Sequence, residues 1–177
     1  MRKRLSASKR LFKLVLYADL GALMFISKIL LEWAPNIHLL GALTMIYTVA
    51  FGVEALIPIY VYVFMNGLFA GFSFWWIPYL YIWTILWGIT MLLPKNMNAK
   101  VALPVYMTVC TLHGLLFGAL YAPAQAIMFG FNFKQTLAWI ASGFWFDVIH
   151  AAGNFCFGAL IYPTLQFLIR MKKKYMI

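Results

Sequence analysis

Three polar side chains, Asp147, His150 and Asn154, stand at i, i+3 and i+7 in an otherwise apolar stretch. That spacing puts a carboxylate, an imidazole and an amide on one face of a helix, with Ala151 and Gly158 beside them. Such a face can hold a polar ligand by hydrogen bonds, or it can fix helix packing through a buried network. Asn66 and His113 interrupt two other apolar runs, and the turn Pro35-Asn36-Ile37-His38 adds a further amide and imidazole. A polar group in lipid costs free energy and therefore faces a cavity or a partner, so these positions are the candidates for binding.

Other chemistry is not signposted. His38, His113 and His150 sit on three separate elements without the tight spacing of metal ligands, and no metal is expected. Neither GxSxG nor a Gly-rich phosphate loop occurs. Cys110 and Cys156 lack CxxC spacing and read as small apolar residues. Binding or transport is favoured over catalysis, with no cofactor and no ATPase in this chain. The run Phe74 to Trp87 is dense in aromatics; Trp75, Trp76 and Trp87 suit an interfacial belt. Trp83 falls near mid-run, on a face shared with Trp76, Tyr79 and Trp87. It either packs between helices or, with Trp76, walls a pocket for a planar ligand.

The elements that position these residues follow from composition. The chain has 177 residues, 65% hydrophobic and 10% charged, with a mean hydropathy of +0.87, against about 45–50% apolar and about 25% charged in a soluble domain. So much apolar surface needs an apolar solvent, the bilayer. The apolar runs are continuous rather than alternating, which excludes a spanning barrel. The fold class expected is all-α, a single polytopic membrane domain.

The net charge of +10 is concentrated at the two ends. Six of the 14 cations lie within Met1 to Lys13 and four within Arg170 to Lys174. This is the positive-inside pattern, not a nucleic-acid stripe, and it puts both termini in the cytoplasm. An even number of spans follows. The apolar run after the basic start is too long for a signal-peptide core and lacks a cleavage site.

Runs near the 20-residue spanning length place the spans at Leu14 to Trp33, Leu39 to about Phe51, Ala55 to about Ala70, Phe74 to Leu93, Val101 to about Ala122, and a sixth ending at the Arg170 cluster. With six spans, the loops carrying Glu54 and carrying Lys95 and Lys100 are also cytoplasmic, leaving Lys28 and Lys134 as exceptions. The stretch from Leu137 to Ile169 is too long for one crossing. Ser142-Gly143 is the expected break, with Phe133 to Ala141 as a short outer helix and the sixth span starting near Phe144. Ala124 to Gly143 then forms an outer loop long enough to act as a lid.

The first span carries Ala18 and Ala22 at i, i+4, flanked by Gly21, a smooth strip that another helix can approach closely. This strip, the basic cytoplasmic ends, the polar outer-half cluster and the Pro35-Asn36-Ile37-His38 turn together resemble the substrate-binding S component of energy-coupling factor (ECF) vitamin transporters. The resemblance covers essentially the whole chain; Phe146 to Phe155 looks like the last-helix segment that lines the vitamin pocket in some S components. It implies a six-helix bundle in a prokaryotic plasma membrane that binds a water-soluble vitamin or precursor from outside. Cobalamin, a B6-type or a pyrimidine compound are the ligands considered. It also implies partners: a transmembrane coupling subunit docking on Ala18, Gly21 and Ala22, and two ATP-binding subunits that drive uptake. The rival resemblance is to the tryptophan-rich sensory receptors, which bind porphyrins and normally have five spans.

Overall fold

The computed structural model describes residues 7–94 and 96–175, except the side chains of Lys172 and Tyr175. The cations Arg2, Lys3, Arg4 and Lys95, and the last two residues, lie outside the described residues. All regular structure is helical: α1 (Ala7–Leu30), α2 (Leu40–Phe51), α3 (Leu56–Ala70), α4 (Tyr79–Leu92), α5 (Ala99–Leu115), α6 (Phe117–Phe129), α7 (Phe133–Gly158) and α8 (Ile161–Tyr175). Short 3-10 turns occupy Gly52–Ala55 and Phe74–Trp76, and no strand occurs among the described residues. Three stretches, Leu40–Ala70, Phe74–Leu92 and Ala99–Phe129, are long and apolar enough to cross a membrane. A fourth arises when α7 and α8, bent by 48°, count as one broken span.

Contacts with α1 show that Leu40–Ala70 doubles back. Along α2, Tyr47 OH donates to the Leu20 carbonyl at 3.3 Å, and Phe51 then meets Tyr17 edge-on at 5.4 Å between ring centroids. Beyond Gly52 the order reverses: Glu54 accepts from Tyr17 OH at 2.5 Å and from Lys13 Nζ at 2.8 Å, Pro58 and Val61 lie over Gly21, and Phe69 meets Phe25. So α2 runs antiparallel to α1 and α3 runs parallel to it. Gly52 carries the reversal at φ +62°, a left-handed conformation that favours glycine. Its carbonyl accepts from Trp87 Nε1 at 3.0 Å, tying the turn to α4.

Although α2 has only 12 residues, ten of them are buried, and it touches α4, α5, α7 and α8. At about 18 Å it lies at the core of the bundle, a short helix that other helices surround. Gly21 is part of this packing. A Cβ there would lie 2.5 Å from Val61 Cγ1 and 2.9 Å from the Pro58 carbonyl oxygen, so a side chain at this position would separate α1 from α3.

Two boundaries differ from the sequence expectation. The fifth span is broken at Leu116 into α5 and α6, and α6 runs on to Phe129. The supposed break at Ser142-Gly143 is continuous helix, and no short helix ends at Ala141. A capping box starts α7: Asn132 Oδ1 accepts from Gln135 N at 2.9 Å, and Gln135 Oε1 accepts from Asn132 N at 2.8 Å. Ser142 Oγ donates to the Trp139 carbonyl at 2.7 Å, within the helix. A helical glycine costs about 1 kcal/mol relative to alanine, while an unsatisfied backbone group in lipid costs several kcal/mol, so the helix persists through Gly143. The break falls instead at Ala159-Leu160, where the Pro163 ring would clash with the Ala159 carbonyl of a continuous helix. The loop expected there therefore reduces to Gly130, Phe131 and Asn132 between two helices. Ala124 to Gly143 is a helical hairpin, and the long lid expected there is absent.

Candidate functional site

His38, His113 and His150 converge near the α1–α2 connection, around Trp83. This indole is 1% exposed and lies within ring-contact distance of Tyr62 (6.1 Å between centroids), Tyr79 (6.0 Å), Phe117 (5.9 Å), His113 (5.7 Å) and His38 (6.1 Å). His150 closes the cage, 4.6 Å from His38 and 4.9 Å from Phe117. Three imidazoles distant in sequence thus meet: His38 from the α1–α2 turn, His113 from α5 and His150 from α7. Among the described residues no group of three or more His, Cys, Asp or Glu is arranged to hold a metal ion. Burial pushes the His38 imidazole down to about 4, which leaves it uncharged at neutral pH.

The distinctive property of the cage is its unmet hydrogen bonding. Trp83 Nε1, Tyr62 OH, His38 Nδ1, His113 Nδ1 and His150 Nε2 are buried with no partner. The same holds for both amide atoms of Asn66, for Asn154 Oδ1 and for Thr44 Oγ1. Folded proteins pair the large majority of buried polar atoms. Unpaired buried atoms on Trp83, Tyr62, His38, His113 and His150, whose rings meet, are the pattern of a ligand site.

Against the cage lies a cavity of about 180 Å³, whose walls include Lys28, Asn36, His38, Tyr79, Phe117 and His150. Asn36 adopts φ +60°, a left-handed conformation to which asparagine is better suited than most side chains. This turn carries His38 down onto His150. Lys28 at the mouth pairs with Glu32 at 3.5 Å.

Not every residue singled out from the sequence reaches the cage with free valence. Asp147 is committed elsewhere: its Oδ1 accepts from the backbone N–H of Gly118 at 2.9 Å, in the first turn of α6, where N–H groups have no helical acceptor. A Cβ at Gly118 would strike that carboxylate. Asp147 thus caps α6 from α7 through one of its two carboxylate oxygens. Trp76 is also spent, its Nε1 donating to the Val63 carbonyl at 2.8 Å and its ring packed on Phe72. Asn154 is half committed, Nδ2 donating to the Cys110 carbonyl at 2.9 Å while Oδ1 stays unpaired. It sits between Gly41 and Gly114, whose missing Cβ atoms make room for it. On α1, Ala18 is exposed and Ala22 half-buried, whereas Gly21 faces α3 and presents no surface to a partner.

Tyr62 and Phe117 belong to the cage and were not evident from the sequence, whereas Tyr79 was already on the aromatic face it shares with Trp83. The signal was helical spacing: Tyr62 is four residues before Asn66, Tyr79 four before Trp83, and Phe117 four after His113, each one turn from a residue already suspected. Comparison of the chain with family models, curated proteins and solved structures found no match.

Proposed function

We propose that this chain is the substrate-binding S component of an ECF-type importer in a prokaryotic cell membrane, taking up a water-soluble vitamin or vitamin precursor. The observation that carries the reading is the set of unpaired buried polar atoms around Trp83, close beneath a cavity that opens at the α1–α2 turn. A site of that kind, apolar with a few convergent polar groups, suits capture of a small solute. The reversal at Gly52 supports counting α2 and α3 as separate crossings. With α1, α4, α5–α6 and α7–α8 they make six, so both termini share one face. Lys9, Arg10 and Lys13 at one end and Arg170, Lys173 and Lys174 at the other favour the cytoplasm for that face.

In this reading the chain binds ligand and performs no chemistry, and a transmembrane coupling subunit with two ATP-binding subunits drives release inward. Ala18 and Ala22, the accessible part of the small-residue strip, supply the docking surface. A cavity of about 180 Å³ is below the range of about 300–1,000 Å³ for drug-sized ligands. That size favours a B6-type or pyrimidine compound over cobalamin, and it weighs equally against a porphyrin receptor. The test is copurification of the tagged full-length chain from its native membranes. Recovery of two ATPases and a membrane subunit, lost on replacing Ala18 and Ala22 with Trp, is the expected result. Recovery of the chain free of any ATPase would overturn the proposal.

A further inference from the structure

One side of α1 is spent on its neighbours and the other is bare. Tyr17, Gly21, Met24 and Ser27 are buried, while Phe12, Val15, Leu23, Ile26 and Leu30 are each 50% exposed or more. The exposed positions recur about every 3.6 residues and so form one stripe along the helix. Asp19 lies in the middle of that stripe, and it too is exposed. With α1 crossing the membrane, as the proposed function has it, a carboxylate stands on an apolar face turned away from the bundle.

Among the described residues nothing compensates this group: Asp19 makes no ion pair and no hydrogen bond. Lys13 and Lys28 are six and nine residues away, about 9 and 14 Å along the helix axis, and they pair with Glu54 and Glu32. The helices α2 and α3, which pack against α1, contain no lysine, arginine or histidine. A carboxylate facing acyl chains is costly, and such residues pair with a group of opposite charge or face a protein interior. Lysine and arginine escape by extending a long apolar stem to the interface; aspartate, with a single methylene, has no such reach.

Charge decides what covers the stripe. Lipid leaves the carboxylate uncompensated. A second copy inserted in the same direction brings Asp19 to Asp19, two like charges. A span of another protein that carries a cation at this level removes the cost, and its apolar neighbours pack on Val15, Leu23 and Ile26. Ala18, exposed beside Asp19, lets that span approach closely. We infer that α1 docks through this stripe on a membrane-spanning helix of a different protein, and that a lysine or arginine of that helix pairs with Asp19. The pairing rests on the coupling-subunit reading for the crossing of α1, and it names the chemistry of a contact which that reading leaves open.

The test is photo-cross-linking of the tagged full chain in its native membranes. Val15 and Leu23, one turn either side of Asp19, are replaced singly by p-benzoylphenylalanine, and the adducts are sequenced by mass spectrometry. Both positions should mark the same apolar span of another protein, with a lysine or arginine between the two contact points. Asp19→Asn keeps the shape and removes the charge, and it should lower the cross-linking yield by about tenfold or more, because the partner's cation is then unpaired in lipid. Replacing that cation by methionine should cause the same loss, and combining this change with Asp19→Leu should bring the yield back to within about threefold of wild type, since an apolar pair then stands in place of the ionic one. Thermal unfolding in detergent establishes that the Asp19 variants are folded, and the isosteric Asp19→Asn remains informative should Asp19→Leu fail. Adducts confined to lipid, to α1 of a second copy, or to a span with no cation between the contact points overturn the inference. So does a wild-type yield in Asp19→Asn, or a double variant no better than its parents. Adducts with a cation-bearing span of a protein that binds no ATPase would sink the transporter reading and leave this inference standing. A complex with two ATPases whose membrane subunit fails to cross-link at Val15 and Leu23 would do the reverse.

Discussion

Replacing Asp147 separates a ligand-binding carboxylate from a structural cap. Asp147 is 7% exposed, and its Oδ1 receives the Gly118 N–H at 2.9 Å, at a helix start where that donor has no intrahelical acceptor. Asp147→Ala strands the amide in an apolar setting, which costs about 1–3 kcal/mol, in line with the roughly 0.5–2 kcal/mol lost when a helix cap is removed. For a chain of this size that corresponds to a fall in Tm of roughly 2–12 °C. Asp147→Asn keeps a side-chain carbonyl at the same place and should lose no more than about 1 kcal/mol, the part owed to charge on the acceptor. The assay is thermal unfolding of the purified chain in one fixed detergent, joined to amide exchange at Gly118, which should lose protection in the alanine variant and keep it in the asparagine one. Ligand affinity of folded Asp147→Ala should stay within about threefold of wild type, well short of the tenfold owed to a lost buried hydrogen bond. The reasoning is refuted if Asp147→Ala melts like wild type with Gly118 still protected, or if stability is unchanged while binding is abolished.

Gly21→Leu should destabilise the chain by about 1–3 kcal/mol through overpacking against Val61 and Pro58, measured by thermal unfolding, whereas Ala18→Leu on the exposed face of α1 should not. Spin labels at Lys134 and Trp145, 11 residues apart on one continuous helix, should stay about 16 Å apart between backbones with and without ligand; a broad or ligand-dependent distribution would restore the hinge at Ser142-Gly143. Glu54→Gln removes the ion pair with Lys13, in which the Glu54 side chain is 50% exposed, and should shift stability by less than about 1 kcal/mol; a larger loss in thermal unfolding would mean that the turn after Gly52 depends on that carboxylate.

Hydropathy and charge revealed the helical, membrane-type character of the chain because both are sums over many residues. The starts of α2, α3 and α5 follow from Pro35, Gly52 and the Pro94 loop, since each punctuator acts on its own neighbourhood. The meeting of His38, His113 and His150 around Trp83 has the same local origin, because a polar residue in an apolar run has few places to go. The α5–α6 break was not legible. Nothing between Val101 and Ala122 marks Leu116, because the group that stabilises the break comes from a helix about 30 residues later. The same distance hid the role of Asp147, whose spacing with His150 and Asn154 is genuine but whose partner is a backbone amide. Ser142-Gly143 misled in the opposite sense. It would break an exposed helix more readily than one in lipid, where the backbone has no water to turn to.

That carboxylate also sets an order of assembly. When synthesis has passed Phe129 but not yet produced α7, the polypeptide from Ala99 onward has no acceptor for the Gly118 amide, and in a bilayer an uninterrupted helix is then the better solution for it. The one-residue break at Leu116 gains the acceptor for its Gly118 amide only when α7 is in place and Asp147 arrives. The pairing of this wall of the cage is thus completed by the helix that follows it.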